Sequence, residues 1–234
     1  MIKKAMILAA GYGKRIHPLT LKIPKPLLKI GKETLLHNTI KFLELYGIKD
    51  VVINVHYLGE QIIDYMNERK FNLNVNIIKE KDKLLDTGGG VLNAINYFSN
   101  EPFFIINPDT IWNKNYLKEI KEMENFFFKK INAKCALLVV NKKKSFDKSF
   151  KGDFNLEKDL ISRIEKKNLN FVYTGLQIIK SEAFSNINEK FFSMNLIWDN
   201  LIKKNELYGM ESNIDFMHIS TLDVYKDLIK KIKY

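Results

Sequence analysis

Through the first half of the chain, short unbroken apolar runs alternate with apolar residues at helical spacing. Ala5 to Ala10 is continuous and apolar, as expected of a strand buried on both faces. Leu36, Ile40 and Leu43 mark a helix face that ends near Gly47, a residue suited to a helix terminus. Val51 to Val55 reads as a second strand. Leu58, Ile62, Tyr65 and Met66 continue as a helix, and Val75 to Ile78 reads as a third strand. Val91, Leu92, Ile95 and Phe98 predict a short helix, Phe103 to Ile106 a fourth strand, and Tyr116 to Met123 a further helix. Strand, helix, strand, helix predicts an α/β fold, Rossmann-like, with a mixed, mainly parallel sheet and helices on both faces. Ligands of such a sheet bind outside the carboxyl ends of its strands.

The second half is less regular. Ala136 to Val140 and Phe171 to Ile179 read as strands, and Lys142 to Lys151 as a lysine-rich loop. Asn213 to Ile219 looks extended, and Leu222, Tyr225, Leu228, Ile229 and Ile232 give an amphipathic last helix. No repeat or linker interrupts the pattern, so residues 1–234 are expected to form a single domain.

Composition narrows the classes. Of 234 residues, 46% are apolar and 28% charged, a globular balance rather than a disordered one. The apolar runs are far shorter than the ~20 residues that span a bilayer, so no membrane is expected and the chain reads as cytoplasmic. Cys135 stands alone, which excludes an internal disulfide and a cysteine-based zinc site; as the opening residue of a strand it reads as core. The net charge is +11, yet only Arg15, Arg69 and Arg163 are arginines. Scattered lysines without arginine forks argue against nucleic acid as the partner. The positive field instead suits a small anionic substrate.

The first strand runs into Leu8-Ala9-Ala10-Gly11-Tyr12-Gly13-Lys14-Arg15. Glycines directly after a buried strand let backbone N–H groups close on phosphate. The spacing fits neither a dinucleotide fingerprint nor a Walker loop. Lys14 and Arg15 add two cations, which suit a triphosphate; an ordinary turn with solvated side chains is the competing reading. Pro24-Lys25-Pro26 should hold Lys25 in a stiff extended stretch, aiming its ammonium. Asp109 lies just past the fourth strand, at a carboxyl end.

Leu8 to Thr20 followed by Pro24-Lys25-Pro26 resembles the sugar-1-phosphate nucleotidyltransferases. Leu85-Asp86-Thr87-Gly88-Gly89-Gly90 resembles that family's nucleobase-side motif, and Asn107-Pro108-Asp109 its metal-aspartate motif. Gly152-Asp153-Phe154 and Tyr173-Thr174-Gly175 resemble its sugar-side elements. The compact length, Leu84 to Gly90 and Gly152 to Phe154 are most similar to the short N-acetylmuramate-1-phosphate uridylyltransferases of cell-wall recycling. The resemblance implies uridylyl transfer from an NTP to a sugar 1-phosphate, releasing pyrophosphate, by a monomer or homodimer. Guanylyl or cytidylyl transfer to another sugar phosphate or to phosphocholine is the alternative, and nucleotide binding without catalysis a second one.

By the same resemblance Arg15, Lys25 and Asp109 are catalytic. Leu8, Ala9, Ala10, Gly11, Gly13, Lys14, Arg15, Thr87, Gly88 and Gly89 hold the nucleotide, the triple glycine letting the backbone read the base. Glu80, on the carboxyl side of the third strand, is a further candidate for the base or ribose. Lys25, Asn107, Gly152, Asp153, Thr174, Gly175 and His218 hold the sugar phosphate. Asp109 carries Mg²⁺, with Mn²⁺ as the alternative. Lys14, Pro108 and Ser220 stand where the family usually has Thr, Gly and Gly, and the departure that matters most is His218, where a second metal aspartate is usual. Magnesium accepts imidazole poorly and manganese accepts it better. Asp109 is therefore expected to hold the metal with substrate oxygens while His218 hydrogen-bonds the sugar phosphate or a metal-bound water; ligation of a softer metal by His218 is the alternative.

Overall fold

The computed structural model describes residues 1–163 and 168–232. In chain order the elements are β1 (Lys4–Leu8), β2 (Lys29–Ile30), β3 (Glu33–Thr34), α1 (Leu35–Tyr46), β4 (Asp50–Val55) and α2 (Gly59–Asn67). Next come β5 (Asn74–Lys79), α3 (Asp86–Ala94), β6 (Phe103–Ile106), α4 (Tyr116–Lys129) and β7 (Cys135–Asn141). The last are β8 (Asn155–Glu157), β9 (Leu160–Ser162), β10 (Phe171–Ile179), α5 (Met194–Lys203), β11 (Leu207–Ser212) and α6 (Leu222–Ile232).

Nine strands form one sheet in the order β5-β4-β1-β6-β10-β7-β11-β9-β8. β5, β4, β1 and β6 run parallel, as the alternation in the first half requires. β10 lies antiparallel between β6 and β7, which makes the sheet mixed. The two-residue side-chain period sorts the core onto two faces. Ala5 and Ile7 of β1 and Phe104 and Ile106 of β6 pack with Leu36, Ile40, Ile62, Ile120 and Met123 of α1, α2 and α4. Met6, Phe103 and Ile105 face the other way, against Val91, Ala94, Ile197 and Leu201 of α3 and α5. Helices thus cover both faces. No helix among the described residues is long and apolar enough to cross a membrane.

Several elements differ from the sequence reading. β1 stops at Leu8, and Ala9 and Ala10 leave it, still buried, to enter the loop. α3 begins at Asp86, well before Val91, so three consecutive glycines sit in a helix where they are usually unfavourable. The cause is tertiary. A Cβ on Gly88 would run into Phe192, and one on Gly89 into the Lys190 carbonyl. α5 and β11 escaped the pattern reading, although Met194, Ile197, Trp198 and Leu201 are spaced as one buried helix face. Residues 213–219 form no strand; Phe216 and His218 instead make single bridges to Ser145 and Thr110. Cys135 does open β7 and is buried, its thiol pushed up by burial.

Candidate functional site

β1 lies between β4 and β6, so the loops leaving β1 and β6 flank one crevice at the strands' carboxyl ends. A cavity of about 410 Å³ occupies it, within the usual range for small-molecule sites. Leu8, Ala9, Ala10, Gly11, Gly13, Lys14 and Arg15 line one side, and Asn107, Pro108 and Asp109 the other. Gly13 has φ +63°, and a Cβ there would press on Thr20 and Lys25 at 3.1 and 3.2 Å. The Thr20 hydroxyl donates to the Gly13 carbonyl at 2.8 Å. A glycine is therefore required for the loop to fold back on the lysine segment.

Lys25 is not in an extended stretch. Pro24 is extended, and Lys25–Leu27 then make one 3₁₀ turn with Pro26 inside it. The prolines still fix the lysine, because the turn is closed by the Leu27 and Leu28 amides donating to Pro24 and Lys25. From behind, Ile16, Leu28 and Leu35 pack against Tyr225 and Leu228 of α6. The Tyr225 hydroxyl donates to the Lys29 carbonyl at 2.9 Å. The C-terminal helix thus braces the segment that carries Lys25.

A second, larger cavity of about 720 Å³ adjoins the first. Arg15, Asn107 and Asp109 line both. The Lys25 ammonium donates to Asp109 Oδ2, and His218 Nδ1 lies 3.5 Å from Asp109 Oδ1. Burial opposes the charge on Asp109, but His218, protonated in the acid range where Asp109 titrates, and Lys25, with its hydrogen bond, hold the carboxyl down at about 2. Burial, with Lys25 and Arg15 beside it, pushes the His218 imidazole down to about 4 against the pull of Asp109. His218 is therefore neutral near pH 7, and the cation that Asp109 faces there is Lys25. His218 is held by the pairing of residues 217–219 with 109–111: the Ile219 amide donates to the Asp109 carbonyl, and Ile111 to Met217. Ser220 donates to Asp147 just beyond.

Two sequence-derived assignments on the nucleotide side change. Glu80 is buried and absent from the cavity wall, because its carboxylate accepts from Asn54 and from the Leu85 amide. Gly88 and Gly89 do not offer N–H groups to a base either; both donate to the Phe192 carbonyl, at 2.9 and 3.0 Å. That contact satisfies amides which a helix N-terminus leaves open. Leu84, Asp86 and Thr87 line the cavity in their place, with Asp86 held at φ +61°. Asn54, Tyr12 and Pro26 also line it, and Asn54 was visible only as a polar residue inside an apolar strand.

On the other side, Gly152, Asp153 and His218 line the larger cavity. The Asp153 carboxylate accepts from the Tyr173 amide at 2.9 Å, and its burial raises its pKa. Thr174 and Gly175 do not reach the cavity. The Thr174 hydroxyl donates to Leu138, and its carbonyl accepts from Thr110. The Gly175 carbonyl accepts from the Asn107 amide at 2.8 Å, and a Cβ on Gly175 would strike Asn107. Both therefore support the Asn107–Thr110 segment from beneath. The sequence reading had not placed Arg163, Asn195, Trp198 and Asp199, which line this cavity together. Arg163 donates to Asp199 and to the Asn195 side chain at 2.7 and 2.8 Å.

The donor set bears on a metal ion. Among the described residues no cluster of three or more His, Cys, Asp or Glu could hold one. Asp109 Oδ1, however, is buried and has no hydrogen-bond partner, a rarity that calls for a ligand. One carboxylate oxygen at the seam of two cavities fits an ion completed by substrate oxygens and water, as magnesium prefers.

The nucleotidyl transferase family model matches residues 4–150. An N-acetylmuramate α-1-phosphate uridylyltransferase of Neisseria meningitidis serogroup B is 32% identical, over 79% of this chain and 78% of that protein. A D-glycero-α-D-manno-heptose 1-phosphate guanylyltransferase of Aneurinibacillus thermoaerophilus is 27% identical, over 99% of both. Among solved structures, HddC from Yersinia pseudotuberculosis complexed with GMP-PN has the same fold, with a TM-score of 0.77 at 22% identity over 98% of this chain and 99% of that one. With the glycine loop after β1 and two cavities meeting at Asp109, the chain belongs to the nucleotidyl transferase family.

Proposed function

We propose that the chain, acting as one nucleotidyltransferase domain, joins an NTP to a sugar 1-phosphate and releases pyrophosphate. The observation that carries this reading is the seam: Arg15, Asn107 and Asp109 face both cavities at once. An NTP in the smaller cavity and a sugar phosphate in the larger one would bring their phosphates together there. UTP with N-acetylmuramate 1-phosphate is the first pair, supported by the Neisseria relative. GTP with a heptose 1-phosphate is the second, supported by the Aneurinibacillus relative.

A sugar-phosphate oxygen attacks the α-phosphorus; the new O–P bond forms as the bond from the α-phosphorus to the bridging oxygen breaks, and pyrophosphate leaves. Both reactants are anions, so positioning and charge neutralisation dominate over acid–base work. Arg15 and the loop amides bind the β- and γ-phosphates. The Ala9 amide is excluded from that task, since it donates to Asn54. Lys25, braced by α6, moves from Asp109 to the incoming phosphates. Asp109, with His218 beside it, would hold a divalent cation, Mg²⁺ with Mn²⁺ as the alternative, which would supply charge withdrawal from the reacting phosphates.

Pyrophosphate release over a grid of UTP, GTP, CTP, ATP and dTTP against N-acetylmuramate, N-acetylglucosamine, glucose, mannose and heptose 1-phosphates and phosphocholine tests the reading. A single strong pair is expected. A grid without release, in a protein that still binds an NTP, would leave a nucleotide-binding protein and sink the reaction. For His218, replacement by Asp restores the oxygen ligand usual in the family and keeps magnesium-dependent turnover. Complete loss in His218→Asp would show that the imidazole itself is needed.

A further inference from the structure

From the wall of the nucleotide cavity, where Ala9 and Asn54 line it, a buried polar chain with no role in the mechanism above runs inward to Glu80. The Ala9 amide, in the loop after β1, donates to Asn54 Oδ1 at 3.0 Å. Asn54 Nδ2 donates to Glu80 Oε1 at 2.7 Å. Glu80 Oε2 accepts from the Leu85 amide at 2.8 Å, at the entry to α3. Asn54 and Glu80 are each only 3% exposed, so a mismatch among these groups has no water to absorb it. Gly90 closes the chain from above: a Cβ there would lie 2.7 Å from Asn54 Nδ2 and 2.8 Å from Glu80 Oε1.

The ends of this chain are the two walls of the cavity. Ala9 begins the loop read as gripping the phosphates, and Leu85 lies between Leu84 and Asp86, which line the base side. We propose that Asn54 and Glu80 form a clasp that fixes the distance between the phosphate loop and the base-side segment, and through it the choice of nucleobase. They are positioning residues, and the inference rests on the nucleotide reading of this cavity.

The hydrogen-bond inventory makes the clasp specific. Both outer groups, Ala9 N–H and Leu85 N–H, are donors, so the atoms that meet them must be acceptors. An amide at one position and a carboxylate at the other satisfy all three bonds. Two amides leave two NH₂ groups facing each other, and two carboxylates leave two anions in contact. Which position carries the carboxylate is immaterial. Glu80→Gln and Asn54→Asp should each break the clasp, and the swap Asn54→Asp with Glu80→Gln should rebuild it.

Affinity for UTP, GTP, CTP, ATP and dTTP is measured by titration calorimetry with Mg²⁺, without sugar phosphate. The KM of the sugar phosphate is measured separately by pyrophosphate release. Each single variant is expected to bind the preferred nucleotide about ten- to a hundredfold more weakly, to narrow the gap to the next base, and to leave the sugar-phosphate KM unchanged. The swap recovers most of both losses. A swap that binds no better than Asn54→Asp overturns the clasp, as does a Glu80→Gln that keeps native affinity and base ranking. So does a loss that is equal for all five nucleotides. If neither single variant folds, a folded swap with native ranking supports the proposal and an unfolded swap overturns it. Because binding is read without the acceptor, an absence of pyrophosphate release counts against the proposed reaction alone.

Discussion

Asp109→Asn lowers turnover by about 10²–10³-fold, the loss typical of removing a preorganised charge at a reacting centre, while the protein still binds its NTP. The replacement keeps the shape of the side chain and removes its charge. In the native site that charge has two claimants. Oδ2 takes the Lys25 ammonium, and Oδ1 is buried without a partner. An amide offers one weak acceptor and a donor that would point at Lys25 or His218, so it serves neither the cation nor a divalent ion. The fold should survive, because the backbone of this segment is held independently by Gly175, Met217 and Ile219. Pyrophosphate release, NTP titration and thermal melting together read this out. Near-normal turnover would remove Asp109 from the mechanism even with the fold and family intact.

How far this site was legible beforehand differs residue by residue. The glycine loop and Lys25 stand out locally, one directly after a strand and the other between two prolines, whereas Asp109 is named through the family resemblance of Asn107-Pro108-Asp109. His218 could be flagged as a departure, but not that its ring would lie 3.5 Å from the Asp109 carboxylate. That proximity depends on a single bridge, Thr110 to His218, between segments over a hundred residues apart. The fold shows the same division. The parallel half follows from apolar periodicity, whereas the triple glycine of α3 reads as a backbone surface for a base until Phe192 and Lys190 are seen against it. Glu80, Thr174 and Gly175 are engaged in hydrogen bonds that support the walls, which no local pattern announces. Their partners, Asn54, Leu138 and Asn107, lie on neighbouring strands or the loops beyond them, and sequence order does not reveal which strands are neighbours. Arg163, Asn195 and Asp199 carried no motif, and only the folding of α5 against β9 gathers them.

Lys25→Ala separates the two claimants on Asp109. Turnover falls by about 10²–10³-fold here as well, since a fixed cation between two approaching anions is lost. NTP affinity changes less than turnover, because Arg15 and the loop amides that line the smaller cavity remain. The metal readout should move the other way. Without the ammonium, Asp109 Oδ2 is free as well as Oδ1, and a competing positive charge has left a largely buried site. Mn²⁺ should therefore bind the nucleotide-free variant more tightly than the wild type, measured by calorimetry or by electron paramagnetic resonance. Asp109→Asn should abolish that binding, and the double variant should resemble Asp109→Asn. A Lys25→Ala protein that loses turnover without gaining Mn²⁺ affinity would show that Lys25 and the cation do not share the carboxylate. The lysine would then act on the phosphates alone, and the Lys25–Asp109 pair would be only the resting place of a side chain awaiting its substrate.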